Sequence, residues 1–264
     1  MGELTLIGMG LQDEKGLTLR GLEAARKSDE VYVEFYTNIM PGLSIQNLQH
    51  LVGKEVGILT RKDLEENAER AIFSRAKQKS VGLLTPGDPM TATTHIGLVL
   101  SARKQGIQTR LIHSASIVTA AAGVTGLELY KFGRTVTIPS PATNPTPESA
   151  YGFIEENRRI GLHTLMLLDI GNEPLTIPDA IRILLKLEDR VKAGLVTEDT
   201  MLVALARVES PDCIVRADKA RNLREHDFGK PPFSIILPGK LHFIEAEALH
   251  VLAGVPQETL EERE

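Results

Sequence analysis

The sequence is poor in several features, and each shortage excludes a class of protein. It has one cysteine, Cys213, so the chain can form neither an internal disulfide nor a zinc site built from cysteines. No apolar run approaches the roughly 18 residues that a membrane-spanning helix needs. The chain does not begin with a basic leader and a long apolar stretch, so we expect no signal peptide, no membrane partner and a cytoplasmic location.

Concentrated positive charge is also missing. The net charge is −5, and Lys and Arg are spread along the chain instead of forming a basic block. Proteins that bind a phosphate backbone usually gather positive charge on one surface, so we expect no nucleic-acid partner. The composition is otherwise that of a globular protein, with 42% apolar and 25% charged residues. The 264 residues suffice for one large domain or two modest ones.

In the first half of the chain, short apolar runs alternate with helical patterns. The alternation predicts a mostly parallel β-sheet covered by helices. We predict strands at residues 4–9, 30–36, 55–59, 81–85 and 109–113, and helices at 18–27, 44–52, 64–77 and 93–104. Thr18 is a plausible N-cap for the first helix.

The character of the chain changes after residue 113. A segment rich in Ala, Gly and Thr follows at 114–127, so we predict two α/β domains, 1–113 and 114–264. The second domain has a mixed or antiparallel sheet, because its strands follow one another without regular helical crossovers. We predict its strands at 135–139, 164–170, 201–208, 214–217 and 234–237, and its helices at 149–159, 177–192 and 245–252. Four prolines in residues 139–147 predict an irregular loop.

Two loops after predicted strands are candidates for binding a ligand. The first, GMGLQD at 8–13, contains two glycines that allow close backbone approach, although a tight turn explains it equally well. The second, TPGDPMTATTH at 85–95, is more specific because prolines stiffen it and direct the side chain of Asp88. The alternative is that Asp88 only caps the following helix.

The histidines allow two interpretations. His95 is either catalytic or, more simply, a helix residue whose ring is partly buried and hydrogen-bonded. The others, including His113 and His163, do not have the spacing of metal ligands, so we expect no metal site. The sequence alone assigns no catalytic residue.

Taken together, six motifs resemble the diphthine synthase family, which has the tetrapyrrole-methylase-like fold. They are GMGLQDE at 8–14, EFYT at 34–37, TPGDP at 85–89, ATTH at 92–95, YKFG at 130–133 and PGKLH at 238–242. The resemblance covers nearly the whole chain in the same order. It implies two α/β domains with S-adenosylmethionine in the cleft between them, S-adenosylhomocysteine as a product, and a homodimer.

The resemblance also implies a reaction and a set of cofactor contacts. Relatives methylate the amino group of a 3-amino-3-carboxypropyl chain on a histidine of translation elongation factor 2, and the product is diphthine. The contacts that carry over by motif position are Leu11, Asp88, Thr91, Ser116, Ile117, Leu168, Val208 and Phe233. Two of them depart from the family pattern: Phe233 stands where relatives carry His, and Thr91 replaces a small aliphatic residue.

Three other functions stay open at this stage. A methylase of a tetrapyrrole precursor has the same fold, but its first loop usually has a different glycine pattern. A nicotinamide-dependent oxidoreductase is disfavoured because the third glycine of the dinucleotide fingerprint is missing. The third is a partner of the translation machinery without enzyme activity. The number of methyl groups transferred is not determined by the sequence.

Overall fold

A computed structural model of the protein describes residues 2–141, 147–171, 173–256 and 260. The chain divides into two compact units, Met1–Ile117 and Val118–Glu264. The boundary expected between residues 113 and 114 lies near this division and stays a prediction. Within the described ranges, no helix is both long and apolar enough to cross a bilayer.

The first unit alternates strands and helices as the sequence predicts. Its five strands are β1 (Glu3–Gly8), β2 (Glu30–Glu34), β3 (Val56–Leu59), β4 (Ser80–Thr85) and β5 (Gln108–Ile112). Its helices are α1 (Leu19–Lys27), α2 (Ile45–Val52), α3 (Arg61–Glu65), α4 (Ser74–Ala76) and α5 (Ile96–Lys104). The predicted N-cap is confirmed, because the hydroxyl of Thr18 accepts a hydrogen bond from the Gly21 amide at 3.0 Å.

The five strands form one parallel sheet in the order β3-β2-β4-β1-β5. One apolar core packs α3, α4 and α5 against one face, where Leu6 and Leu83 point. A second core packs α1 and α2 against the other face, where Ile7 and Leu84 point. The chain therefore leaves neighbouring strands β1 and β4 toward opposite faces, which opens a crevice at their carboxyl ends.

The prediction of one continuous helix at residues 64–77 is wrong. The segment 64–77 is not a single helix, because α3 ends at Glu65, a π-helical turn occupies Glu69–Phe73, and α4 follows. Asn67 provides the physical reason. Both its backbone amide and its side-chain amide donate to the carbonyl of Lys62, at 3.0 and 3.2 Å, and this closes the end of the first helix.

The second unit has a five-stranded mixed sheet in the order β6-β7-β10-β8-β9, with only β6 and β7 parallel. The predicted α/β class, with a mostly parallel first sheet and a mixed second sheet, is confirmed. The strands are β6 (Val136–Ile138), β7 (Thr164–Leu168), β8 (Met201–Ala206), β9 (Ile214–Lys219) and β10 (Phe233–Leu237). The helices are α6 (Ile117–Thr125), which begins at the last residue of the first unit, α7 (Glu148–Arg159), α8 (Ile177–Val191), α9 (Ala220–Arg224) and α10 (Phe243–Ala253). Most of the predicted proline-rich loop, residues 142–146, lies outside the described residues.

A buried ionic network fixes α10 within the second unit. The fully buried carboxylate of Glu245 accepts hydrogen bonds from the His242 amide (2.8 Å), the Glu128 amide (3.0 Å), His163 Nε2 (2.9 Å) and Lys131 Nζ. Burial alone would raise the pKa of Glu245, but these four donors lower it to about 2. Since His163 Nδ1 accepts from the Gly239 amide at 2.9 Å, the ring is neutral and both its nitrogens are engaged.

This network predicts an acid dependence of stability. The folded pKa of Glu245 lies below the ordinary value of 4.5, so its stabilisation is present above pH 4.5 and is lost as the pH falls toward 2. Glu245→Gln is expected to cost about 3 kcal/mol at pH 7 and to flatten the loss of stability on acidification. Urea unfolding at pH 7 and pH 3 measures both effects. Glu247→Gln, an exposed position on the same helix, is the control, and equal behaviour of the two variants would contradict the account.

Candidate functional site

Two glycines join the loops that leave β1 and β4. The Gly10 amide donates to the Gly87 carbonyl at 3.2 Å, and the Gly87 amide donates to the Gly10 carbonyl at 2.7 Å. Both glycines have positive backbone φ angles, +77° and +70°, and a residue with a side chain adopts such angles only with strain. A Cβ on Gly87 would meet its nearest described neighbour, Ala115 O, only at 4.0 Å. The space beside the Cα of Gly87 is therefore open to close approach by a ligand, whereas a Cβ on Gly10 would meet Gly16 at 3.1 Å.

The carboxylate of Asp88 accepts hydrogen bonds from four groups at this edge. One carboxylate oxygen, Oδ1, accepts from the Met90 amide at 2.9 Å and the Thr91 hydroxyl at 3.3 Å. The other, Oδ2, accepts from His113 Nδ1 at 2.8 Å and the Ser114 amide at 3.2 Å. Burial raises the pKa of Asp88, but these donors together lower it below its usual range, so the group is ionised near neutral pH. The carboxylate thus ties the loop after β4 to the end of β5.

The structure brings together the predicted residues of the first unit. Leu11 follows the glycine bridge, Asp88 and Thr91 lie in the loop after β4, and Ser116 and Ile117 follow β5. All belong to segments that leave the carboxyl edge of the sheet. The alternative that Asp88 only caps the following helix is wrong, because α5 begins at Ile96 with His95 at its N-cap position, and Asp88 binds the Met90 amide within its own loop.

Three predicted residues of the second unit also meet at one sheet edge. Phe233 begins β10 and pairs with Ala206 at the end of β8. Ser234 pairs with Leu167, which places Phe233 beside Leu168 at the end of β7. Val208 lies two residues beyond β8, and the side chains of Leu168, Val208 and Phe233 are buried.

Arg207 fixes the turn that contains Val208. Its guanidinium is buried and donates to the Asp212 carboxylate at 2.6 Å and to the carbonyls of Phe228 (2.6 Å) and Lys230. The backbone at Arg207 has φ +49°, a left-handed conformation that is strained for a long side chain such as arginine. Residues held in such conformations cluster at functional sites. The sequence contained no signal for this strain.

His95 is a fully buried residue with a hydrogen-bonded ring, as its simpler interpretation expects. Its Nδ1 donates to the Pro89 carbonyl at 3.2 Å, so in the neutral ring Nε2 accepts from the Tyr36 hydroxyl at 3.3 Å. Burial lowers the pKa of His95 and raises the pKa of the neighbouring Glu34 to about 7. Glu34 and Tyr36 were not identified from the sequence as site residues. Through the bond from His95 to Pro89, these three side chains hold the loop after β4 in place.

His113 is the functional candidate that sequence reasoning missed. It follows β5 directly, Asp88 lies three residues beyond β4, and the carboxyl ends of parallel strands share one edge. That position was the available signal. Its side chain is 67% exposed although its Nδ1 is held by Asp88.

Among the described residues, no cluster of three or more His, Cys, Asp or Glu side chains forms a metal site. Cys213 is half-buried in the turn before β9.

Comparison with known proteins identifies the class of this fold and site. The family model described as tetrapyrrole (corrin/porphyrin) methylases matches residues 3–206. The chain therefore belongs to the tetrapyrrole methylase family, a class of methyltransferases.

The relatives identify the branch of that family. The chain is 44% identical to the diphthine synthase of Methanosarcina barkeri over 96% of its own length and 97% of the relative. It is 44% identical to that of Methanocaldococcus jannaschii over 94% and 98%. A crystal structure of diphthine synthase matches with a TM-score of 0.89 and 42% identity, covering 99% of each chain. Within the tetrapyrrole methylases, the chain belongs to the diphthine synthases.

Proposed function

We propose that the protein methylates the amino group of the 3-amino-3-carboxypropyl chain on a histidine of translation elongation factor 2, with S-adenosylmethionine as methyl donor. The product is diphthine, an intermediate of diphthamide biosynthesis. One observation carries the proposal: the similarity to diphthine synthases extends over at least 94% of this chain and of each relative. The tetrapyrrole-precursor alternative has no comparable support, because the three proteins compared above, which match nearly the whole chain, are diphthine synthases.

The residues at the carboxyl edge of the first unit fit the proposed methyl donor. S-Adenosylmethionine carries hydroxyl, amino and carboxylate groups, which need polar partners in a buried site. Within the described ranges, Gln12 Oε1 and Thr85 Oγ1 are buried polar atoms without a hydrogen-bond partner. They lie in the loop after β1 and at the end of β4, on either side of the crevice. Gly87, two residues after Thr85, has space beside its Cα that a ligand can approach closely, because a Cβ there would meet no described atom nearer than 4.0 Å.

The protein's contribution to this chemistry is mainly position. The donor supplies a methyl carbon on a sulfonium, whose leaving group is a neutral thioether. The protein needs no nucleophilic side chain, and orientation of the two reactants contributes about 7–11 kcal/mol in well-ordered systems. We propose that Leu11, Asp88, Thr91, Ser116, Ile117, Leu168, Val208 and Phe233 contact the donor. Asp88 also holds the loop that surrounds this contact, since both of its oxygens accept hydrogen bonds from the chain.

The setting of the reaction follows from its substrate. Elongation factor 2 acts in translation, so we propose that the enzyme works in the cytoplasm. We also propose that it acts as a homodimer. Helix α10 supports this, because Phe243 and Val251 are 70% and 69% exposed and offer apolar surface for a partner.

The function is tested by mass spectrometry of elongation factor 2. The factor carrying the aminocarboxypropyl histidine is incubated with the protein and S-adenosylmethionine, and unmodified factor is the control. We expect mass increments of whole methyl groups on the modified form alone, and their number counts the transfers. Intact binding of the donor without any increment would remove this function.

The Asp88 loop gives a second prediction. Asp88→Ala removes four hydrogen bonds that shape the loop, so we expect the Kd for S-adenosylhomocysteine to rise at least about tenfold in titration calorimetry. Asp29→Ala is the matched control, since Asp29 accepts from the Ser80 amide at 2.8 Å at the opposite edge of the sheet. An unchanged Kd in a folded Asp88→Ala variant would refute the role of this loop in binding.

A further inference from the structure

The proposed reaction includes one step, removal of a proton from the substrate amine, to which no residue has yet been assigned. An amine attacks a methyl group through its lone pair, and at neutral pH an alkyl amine holds a proton on that pair. Each transfer therefore needs a group that takes a proton. The eight proposed contact residues supply no such group, because the carboxylate of Asp88, their single ionisable side chain, is engaged on both oxygens.

Two ionisable residues near the carboxyl edge are unsuited to this step. His95 and Glu34 are fully buried, so neither reaches a substrate amine. Glu34 is also engaged, since it accepts from the Thr37 hydroxyl at 2.5 Å and from the Tyr36 amide at 3.0 Å. Their positions assign them to the support of the loop.

His113 has the geometry that a base requires. A carboxylate cannot donate a hydrogen bond when ionised, so the 2.8 Å contact to Asp88 fixes the proton of His113 on Nδ1. In the neutral ring, Nε2 then carries the free lone pair. The side chain is 67% exposed, so this nitrogen is open to an incoming amine. A carboxylate on the far nitrogen also stabilises the imidazolium that forms when the ring takes a proton.

We propose that His113 is the general base of the methyl transfer and that Asp88 is its positioning residue. The inference rests on the proposed function. The N–H bond of the substrate ammonium breaks, its electron pair stays on nitrogen, and the proton binds His113 Nε2. The amine lone pair then forms the bond to the methyl carbon while the carbon–sulfur bond breaks, with its electron pair passing to sulfur. Before the next transfer, the exposed imidazolium returns its proton to water.

The site also accounts for two roles of one carboxylate. Asp88 Oδ1 shapes the loop that is proposed to hold the donor, and Oδ2 orients the ring proposed to accept the proton. The Ser114 amide, which binds the same Oδ2, fixes the backbone next to His113. One carboxylate thereby fixes the position of the donor-binding loop relative to the proposed base. Asp88 is the charged side chain that the structure places against the His113 ring.

The test uses His113→Asn, because the side-chain amide of Asn occupies the place of Nδ1–H and keeps a donor for Asp88. We expect kcat to fall about 10²- to 10⁴-fold at pH 7, as is typical for loss of a general base, with the Kd for S-adenosylhomocysteine unchanged. The deficit should shrink as the pH rises, because the substrate amine then loses its proton to water without help. His50→Asn, an exposed histidine on α2, is the control.

The outcomes separate the two proposals. An active wild-type enzyme with His113→Asn within twofold of it would overturn the inference and leave the proposed function intact. A deficit that is equal at every pH, or that accompanies weaker binding of S-adenosylhomocysteine, would assign His113 a structural role and also overturn it. Wild-type protein that transfers no methyl group would remove the proposed function and the inference with it.

Discussion

The hydrogen bonds to the carboxylate of Asp88 are the interactions on which the candidate site depends. The carboxylate joins the loop after β4 to the end of β5, two segments that the sheet places on either side of β1. Hydrogen bonds to an ionised acceptor are stronger than neutral ones, and four donors converge on this group. The glycine bridge between the loops after β1 and β4 completes the frame. Three consecutive strand ends of the sheet are thus held by one side chain and one pair of backbone contacts.

Each unit pairs a histidine with a carboxylate, but the two pairs differ in burial and in how many ring nitrogens are engaged. In the second unit, His163 and Glu245 are fully buried and both ring nitrogens are engaged, so the pair stabilises the fold. In the first unit, His113 has one nitrogen held by Asp88 while most of its side chain is exposed. Burial and the number of free lone pairs, not residue type, separate a structural histidine from one suited to chemistry.

Local features of the fold could be predicted from the sequence, and contacts between distant segments could not. The alternation of apolar runs and helices predicted the parallel sheet, and Thr18 predicted the start of α1, because both signals are local. The break at Asn67 was missed because a short polar side chain competes with the helix through one specific carbonyl. The contact of His113 with Asp88 spans 25 positions and requires the strand order β4-β1-β5, which no local pattern contains. The left-handed backbone at Arg207 likewise follows from tertiary contacts with Phe228 and Lys230.

The central claim is that the methyl donor binds at the carboxyl edge of the first sheet, in the frame that Asp88 holds. Amide hydrogen exchange with and without S-adenosylhomocysteine tests it most directly, because it reports the segments that a ligand protects without altering the chain. The account predicts slower exchange at residues 10–13, 87–91 and 114–117. Protection that leaves these three segments unchanged while others slow would place the donor elsewhere and contradict the account.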